Sequence, residues 1–237
     1  MIQHYKQHGS KGFTLVELMI AMAFVSMLLL AIAFVVIRIS GIYNKGVTIK
    51  AVNQAGRIIV DDMKRTIGES DPGSINDTLI GQGRLCTGTF SYIWNNGGDN
   101  STQTNKYSND NNATSTKKIR LVKARDNGGA YCNTQDGLPD VDPADATELL
   151  TSSDTSSNMV IDTNLAVQRL EFTSLTKNLA SGSALYTVTL LLSNADQDVI
   201  DTVAGNCKPP QDAGSNNDYC AVNEFKFTVR PGSKGGQ

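Results

Sequence analysis

Histidine is almost absent from this sequence. The chain of 237 residues contains two, His4 and His8, and no histidine follows them. A serine–histidine–aspartate triad, a cysteine–histidine pair or a histidine-ligated metal would therefore lack its imidazole in the rest of the chain. Paired carboxylates remain as a means of acid–base catalysis, but no spacing in the sequence singles out two of them. The sequence predicts that the protein is not an enzyme.

Cysteine and net charge are also low. The four cysteines include no Cys-x-x-Cys pair, the spacing used by many metal and redox sites. The net charge is −2, so the chain exerts no general electrostatic attraction on nucleic acid. The most basic segment, Lys117–Arg125, alternates like a strand, and we interpret its cations as one solvated face. We therefore expect no specific nucleic-acid partner.

Helix-breaking residues are missing from the N-terminal part of the chain. No proline precedes Pro72, and the first glycine after Gly12 is Gly41. Between them, Phe13–Ile37 is apolar or small at every position except Glu17. As a helix, these residues are long enough to span a bilayer. A charged side chain inside such a segment costs roughly 2.5–3.5 kcal/mol on insertion scales, so Glu17 requires an explanation.

The residues before the apolar segment reverse the order of an ordinary secretory signal. Such a signal carries its small-residue cleavage site after the apolar stretch, whereas here the polar residues 1–12 end in Gly12, directly before it. This order resembles the prepilin signal of type IV pilins and of the pseudopilins of type II secretion systems. The residues that carry the resemblance are Gly12, Phe13, Thr14, Leu15 and Glu17, with the helix that follows.

The resemblance implies two processing steps. A membrane prepilin peptidase would cleave after Gly12, where no side chain obstructs a protease cleft, and Phe13 would become the N-methylated amino terminus. Glu17 would then neutralise the terminal amine of a neighbouring subunit, because an acid and an amine that meet in lipid relieve each other's desolvation cost. Cleavage would remove both histidines, and the loss of Lys6 and Lys11 would change the net charge from −2 to −4.

The family resemblance also implies a structural function. We expect a minor pilin of a type IV pilus-like filament, acting in pilus assembly or initiation, adhesion or DNA uptake, because a large head packs more easily at a tip than in a dense fibre. A type II secretion pseudopilin is the alternative, since residues 53–65 resemble J-type pseudopilins as well as tip-priming minor pilins. A membrane-anchored extracellular binding protein that never polymerises is a further alternative.

The same resemblance implies the partners and the location. The expected partners are other pilin or pseudopilin subunits, the prepilin peptidase and the inner-membrane assembly platform. The expected location is the bacterial inner membrane, crossed once with the head outside, and afterwards an extracellular or periplasmic filament. Basic residues flank the apolar segment on both sides, so charge alone does not set this topology.

The fold class expected from the sequence is α+β, with a long N-terminal helix packed on a mainly antiparallel β-sheet head. The helix is predicted over residues 13–68, with 13–37 in the membrane or filament core. From Ile49 to Ile67, apolar residues recur every three or four positions and predict a buried face. Gly68 and the turn residues after it end the helix.

The head, residues 69–237, is predicted to be rich in β-strands. Its segment 95–116 is dominated by Asn, Ser, Thr, Asp and Gly, and we expect an exposed loop whose bordering Tyr92 and Trp94 anchor it in the core. The near-continuous apolar run Leu185–Leu192 is typical of a central strand. Ser193–Asp198 is predicted as a hairpin turn. The other predicted strands are Lys117–Lys123, Val167–Phe172, Asp198–Val203 and Phe225–Arg230.

The cysteines lie in a head that the resemblance places outside the cytoplasm, where disulfides form. Three pairings of four cysteines are possible. The most local pairing joins Cys86 to Cys132 and Cys207 to Cys220, and its second bridge would close a short loop near the C-terminus, as in many pilins. Free buried thiols are the alternative.

One acidic loop could hold a cation. Oxygen ligands on a flexible loop suit Ca²⁺, and some pseudopilins bind calcium. The spacing does not match an EF-hand loop, and a solvated acidic loop is the other interpretation. No other cofactor is expected. The candidate calcium ligands are Asn133, Asp136, Asp140, Asp142 and Asp145.

Overall fold

The computed structural model divides the chain into two compact units, Met1–Tyr43 and Asn44–Gln237, which are described separately. The residues that it describes are 12–98, 105–108, 119–126, 128–133, 137–150, 165–178, 183–195, 199–201, 205–209, 211–212 and 220–232.

A single helix of 55 residues, α1 (Leu15–Glu69), begins and ends within two residues of the predicted bounds. Its apolar part reaches a mean hydropathy of 3.0 over 18 residues, and none of that window is buried. By length and composition this helix can cross a bilayer and anchor the chain in a membrane. At its C-terminal end, the Ser70 hydroxyl donates a hydrogen bond to the Thr66 carbonyl, which satisfies one of the last free acceptors.

The second half of α1 buries one face, as its apolar periodicity predicts. Ile59, Met63 and Ile67 are fully buried, and each contributes roughly 2 kcal/mol of hydrophobic stabilisation. Ile49 departs from the prediction, because 43% of it is exposed and the buried face begins with its neighbours Thr48 and Ala51.

One sheet of the head contains four strands in the order β1-β2-β3-β4, and every neighbouring pair is antiparallel. The strands are β1 (Arg84–Cys86), β2 (Phe90–Trp94), β3 (Leu121–Arg125) and β4 (Ala146–Leu150). The predicted strand Lys117–Lys123 corresponds to β3, although Lys117 and Lys118 lie outside the described residues. Tyr92 and Trp94 are buried in the core, as expected.

The remaining strands are β5 (Leu165–Asn178), β6 (Ser183–Asn194), β7 (Ile200–Asp201), β8 (Asn206–Cys207) and β9 (Val222–Val229). Three of them form an antiparallel sheet in the order β5-β6-β9, which confirms the central position predicted for β6. The short strands β7 and β8 pair only with each other among the described strands. Together with α1, the two larger sheets confirm the α+β class.

The hairpin turn predicted at Ser193–Asp198 is wrong in its first residues. β6 continues through Asn194, and Ser193 pairs with Ala166 on one side and Val222 on the other. A polar residue fits there because the Ser193 hydroxyl is satisfied by hydrogen bonds within the sheet, one of them from Gln168. Residues 196–198 lie outside the described part of the chain.

Two further expectations about polar residues are wrong. Asn105 and Tyr107, inside the segment predicted as an exposed loop, are 0% and 4% exposed, while residues 99–104 and 109–118 lie outside the described part. Among the cations interpreted as a solvated strand face, Arg120 is buried and the Lys123 side chain is 15% exposed. Hydrogen bonds to distant parts of the chain stabilise Asn105 and Lys123 in these positions.

The main core lies between α1 and the two larger sheets of the head. At Gly56 the helix and β9 come so close that an added Cβ atom would overlap the Phe225 ring. A second link is a 2.6 Å hydrogen bond from the Asn223 amide to the Asn53 side-chain oxygen. The absence of a side chain at Gly56 therefore positions the sheet on the helix.

Candidate processing and assembly site

The residues that resemble a processing signal lie at the start of α1. Gly12, Phe13 and Thr14 precede the first helical residue, and Phe13 is 84% exposed. The Gly12–Phe13 bond therefore lies outside the helix. Residues 1–11 lie outside the described part, so the structure bears on the junction and not on the preceding leader.

Thr14 and Glu17 form a reciprocal capping box. The Thr14 backbone N–H and hydroxyl each donate to Glu17 Oε2 at 2.9 Å. In return, the Glu17 backbone N–H donates to the Thr14 hydroxyl oxygen at 3.3 Å. This arrangement satisfies two of the backbone donors that the first turn of a helix leaves free.

The family resemblance assigns Glu17 only to assembly, and the capping role is seen only in the structure. The pattern Thr-x-x-Glu before an apolar run is the known signature of a capping box and could have revealed it. Glu17 therefore has a structural reason to be in the apolar segment within one chain. Glu17 is also exposed, so its carboxylate is accessible to a partner.

The apolar surface around this site is uncovered in the isolated chain. From Leu15 to Ile37 every residue of the helix is exposed, and large side chains such as Leu30 and Ile37 are 71% exposed. Apolar surface of this extent has to be covered by lipid or by other protein segments.

The head contains both disulfides of the local pairing that the sequence favours. Cys86 joins Cys132 with Cα atoms 6.2 Å apart, and Cys207 joins Cys220 with Cα atoms 5.9 Å apart. Both separations lie within the range typical of disulfides. Of the alternatives, free thiols do not occur in this structure.

A fully buried arginine lies beside the first disulfide. The guanidinium of Arg84 donates to Asn105 Oδ1 at 2.7 Å, to the Tyr131 carbonyl at 2.8 Å and to the Pro139 carbonyl at 2.9 Å. Burial lowers the pKa of Arg84, and the nearby charge of Asp140 opposes this effect. Nothing in the hydropathy pattern distinguishes Arg84 from a surface residue.

An ion pair connects α1 to the four-stranded sheet. Lys123 Nζ donates to Asp62 Oδ1 at 3.0 Å and to the Thr66 hydroxyl at 2.6 Å. The Tyr92 hydroxyl donates to the other Asp62 oxygen at 2.7 Å. Burial raises the pKa of Asp62, but hydrogen bonds from Tyr92 and Lys123 outweigh burial, so the pKa lies below its ordinary value.

The candidate calcium ligands gain no support from their geometry. Asp142 Oδ1 accepts a hydrogen bond from the Ala144 backbone, so this carboxylate stabilises a local turn. Asp136 lies outside the described residues. Across the described ranges, no three acidic, histidine or cysteine side chains are grouped so that they could hold a metal ion.

Comparison of the chain with protein-family models, with curated proteins and with solved structures found no significant match.

Proposed function

We propose that this chain is a minor subunit of a type IV pilus-like filament, anchored in the membrane by the first half of α1 before assembly. The proposal depends on one observation above all. An accessible carboxylate, Glu17, lies in an otherwise apolar and exposed helix, four residues after the amino terminus that cleavage at Gly12–Phe13 would create.

The proposed mechanism begins with cleavage. Hydrolysis of the Gly12–Phe13 bond produces a positively charged α-amino group at the edge of the apolar segment. Within one chain, the Glu17 carboxylate binds the Thr14 backbone and hydroxyl through a single oxygen, Oε2. The amine of a neighbouring subunit is the ionic partner, and pairing in a low-dielectric environment offsets the desolvation cost of both charges.

The exposed apolar surface of α1 supports the same proposal. Lipid covers it while the subunit is stored in the membrane, and the helices of neighbouring subunits cover it in a filament. Exchange between these two environments requires little change in apolar burial. The acid–amine pair then supplies the register that apolar packing alone lacks.

The head supports a presenting role. Its two disulfides and the hydrogen bonds of the buried Arg84 restrain segments that join the strands. Lys123 ties β3 to α1 through its ion pair with Asp62. No histidine lies beyond the junction, so imidazole-based catalysis has no residue there. A head with a restrained surface and no imidazole can bind other subunits or an external ligand without catalysing a reaction.

Intact-mass analysis after co-expression with a prepilin peptidase tests the proposal. We expect the mature chain to lack residues 1–12 and to carry one added methyl group on Phe13. The Gly12→Leu variant is the matched control, because a bulky side chain at the cleavage position should leave the chain uncut. An uncut natural chain, or cleavage after the apolar segment, would contradict the proposal and favour an ordinary anchored protein.

A further inference from the structure

The contacts of Arg84 join the strand that carries Cys86 to the turn that carries Cys132. Arg84 lies on β1, two residues before Cys86, and it is 0% exposed. Its Nη1 donates to the carbonyl of Tyr131, the residue directly before Cys132. The guanidinium therefore holds the two cysteine-bearing segments together through a non-covalent contact next to the disulfide.

A second set of contacts shapes the turn that carries Cys132. The Asp126 carboxylate accepts hydrogen bonds from the backbone N–H groups of Ala130, at 2.7 Å, and Tyr131, at 3.4 Å. The Ser91 hydroxyl also donates to this carboxylate, which ties the turn to β2. None of these hydrogen bonds involves a sulfur atom, so none requires the disulfide to exist.

In an unfolded chain, the frequency with which cysteines meet by chance does not favour the Cys86–Cys132 disulfide. The Cys86–Cys132 loop spans 46 residues and the Cys207–Cys220 loop spans 13, so in an unfolded chain the first pair meets roughly sevenfold less often. By the same scaling, Cys86 meets Cys132 only roughly twofold more often than Cys207 meets Cys132, which would be a mispairing. Efficient formation of Cys86–Cys132 therefore needs structure that precedes oxidation.

We propose that Arg84 is a positioning residue that brings Cys132 to Cys86 before oxidation and thereby selects this pair. A thiolate of one cysteine attacks an external disulfide, such as oxidised glutathione, and forms a mixed disulfide. The second thiolate displaces the external thiol and closes the Cys86–Cys132 bond. Two protein thiols are oxidised, and the external disulfide is reduced to two thiols.

Oxidative refolding of the full-length chain in detergent tests this role. The reduced, denatured chain is refolded in a glutathione redox buffer, quenched by alkylation at intervals and mapped by mass spectrometry. For Arg84→Met we expect Cys86–Cys132 to form at least about tenfold more slowly, while Cys207–Cys220 forms at the unmodified rate. Arg125→Met, which removes an exposed cation from β3, should leave both rates unchanged.

Two results would overturn the proposal. Formation of Cys86–Cys132 at the unmodified rate in Arg84→Met would show that the guanidinium does not position the pair. Equal slowing of both disulfides would show that Arg84 supports folding of the whole head and does not act on this pairing.

Amide hydrogen exchange gives an independent test in a chain that cannot form the Cys86–Cys132 disulfide. In the Cys86→Ser, Cys132→Ser variant, we expect the backbone N–H groups of Ala130 and Tyr131 to stay protected, and adding Arg84→Met should remove that protection. Unprotected amides in the double serine variant would mean that the disulfide creates the contacts, and the proposal would fail.

Discussion

At the scale of single residues, Glu17 combines two roles that different substitutions separate. Its carboxylate caps the helix through Thr14, and its charge is the proposed partner of a neighbouring amine. Glutamine also serves at this position of a capping box, because its amide oxygen accepts the same hydrogen bonds without carrying a charge. Glu17→Gln therefore preserves the cap and removes the charge.

We predict that Glu17→Gln and Glu17→Ala reduce filament assembly to a similar degree, by tenfold or more, while both variants still insert into the membrane. Filament yield in sheared cell fractions and subunit amount in washed membranes provide the two measurements. Thr14→Val, which removes only the hydroxyl of the cap, is the control and should have the smaller effect. Normal assembly of Glu17→Gln would contradict an ionic role and leave capping as the sole function.

Gly56 and Gly46 form a matched pair on the same helix. In each case, alanine gains up to about 1 kcal/mol of helix propensity. At Gly56 the new methyl group would collide with the Phe225 ring, whereas at Gly46 nothing lies within 4 Å. Overpacking of this kind costs about 1–3 kcal/mol, which exceeds the gain in propensity.

We therefore predict that Gly56→Ala destabilises the head by about 1–2 kcal/mol and that Gly46→Ala does not destabilise it. Urea unfolding followed through the fluorescence of Trp94, the single tryptophan, measures both changes. Combining Gly56→Ala with Phe225→Leu should recover part of the loss. Equal stability of the two alanine variants would show that the Phe225 ring moves aside at little cost.

At the scale of elements, the contact between α1 and the four-stranded sheet depends on the ionisation of Asp62. Its pKa is lower in the folded chain than in an unfolded one, so its contribution to stability is complete above the unfolded pKa of about 3.9. That contribution decreases as the pH falls through the lower, folded pKa. Loss of the carboxylate should also weaken the hydrogen bonds from Tyr92 and Lys123.

We predict that Asp62→Asn is less stable than the natural chain by roughly 1–2 kcal/mol at pH 7, and that this difference shrinks below about pH 4. Urea unfolding across pH 2–7 gives the difference curve. Asp61→Asn, which changes the adjacent exposed carboxylate, is the control for general charge effects. A difference independent of pH would show that Asp62 acts through packing and not through its charge.

The elements that the sequence predicts well are those with a repeating apolar pattern. The helix and the central strand β6 follow this rule, because burial of one face or of both faces produces the pattern directly. By contrast, β1 has three residues and begins with the buried Arg84, and β2 contains the buried Ser91. These polar residues are buried because partners far along the chain satisfy them, and no local pattern records such partners.

The candidate site divides in the same way. The junction at Gly12 and Glu17 is local in sequence, so order and spacing were sufficient to propose it. The local sequence predicts a solvated Lys123, because its partner, Asp62, lies on a different element and leaves no trace in the local pattern. Long-range pairing of charges is therefore the part of the site that required the structure.

At the scale of the whole molecule, the two units differ in what they bury and expose. Met1–Tyr43 contains the exposed apolar part of the helix, and Asn44–Gln237 contains the whole described core, whose first buried residue is Thr48. Both disulfides and both larger sheets belong to the second unit, and none of the described residues 12–43 is buried. We therefore expect the head to fold without the first unit.

We therefore predict that a truncated chain starting at Asn44 is soluble without detergent, forms both disulfides and unfolds cooperatively. The natural full-length chain should instead require detergent, because its apolar helix has no cover in water. Size-exclusion chromatography, thiol titration and urea unfolding followed by Trp94 fluorescence are the measurements.

A third chain, starting at Gly56, is the matched control. It lacks the buried residues Thr48, Ala51 and Val52 and should be less stable by several kcal/mol, about 2 kcal/mol for Val52 alone. Aggregation of the chain that starts at Asn44, or stability equal to that of the shorter chain, would show that the boundary of the folding unit lies elsewhere.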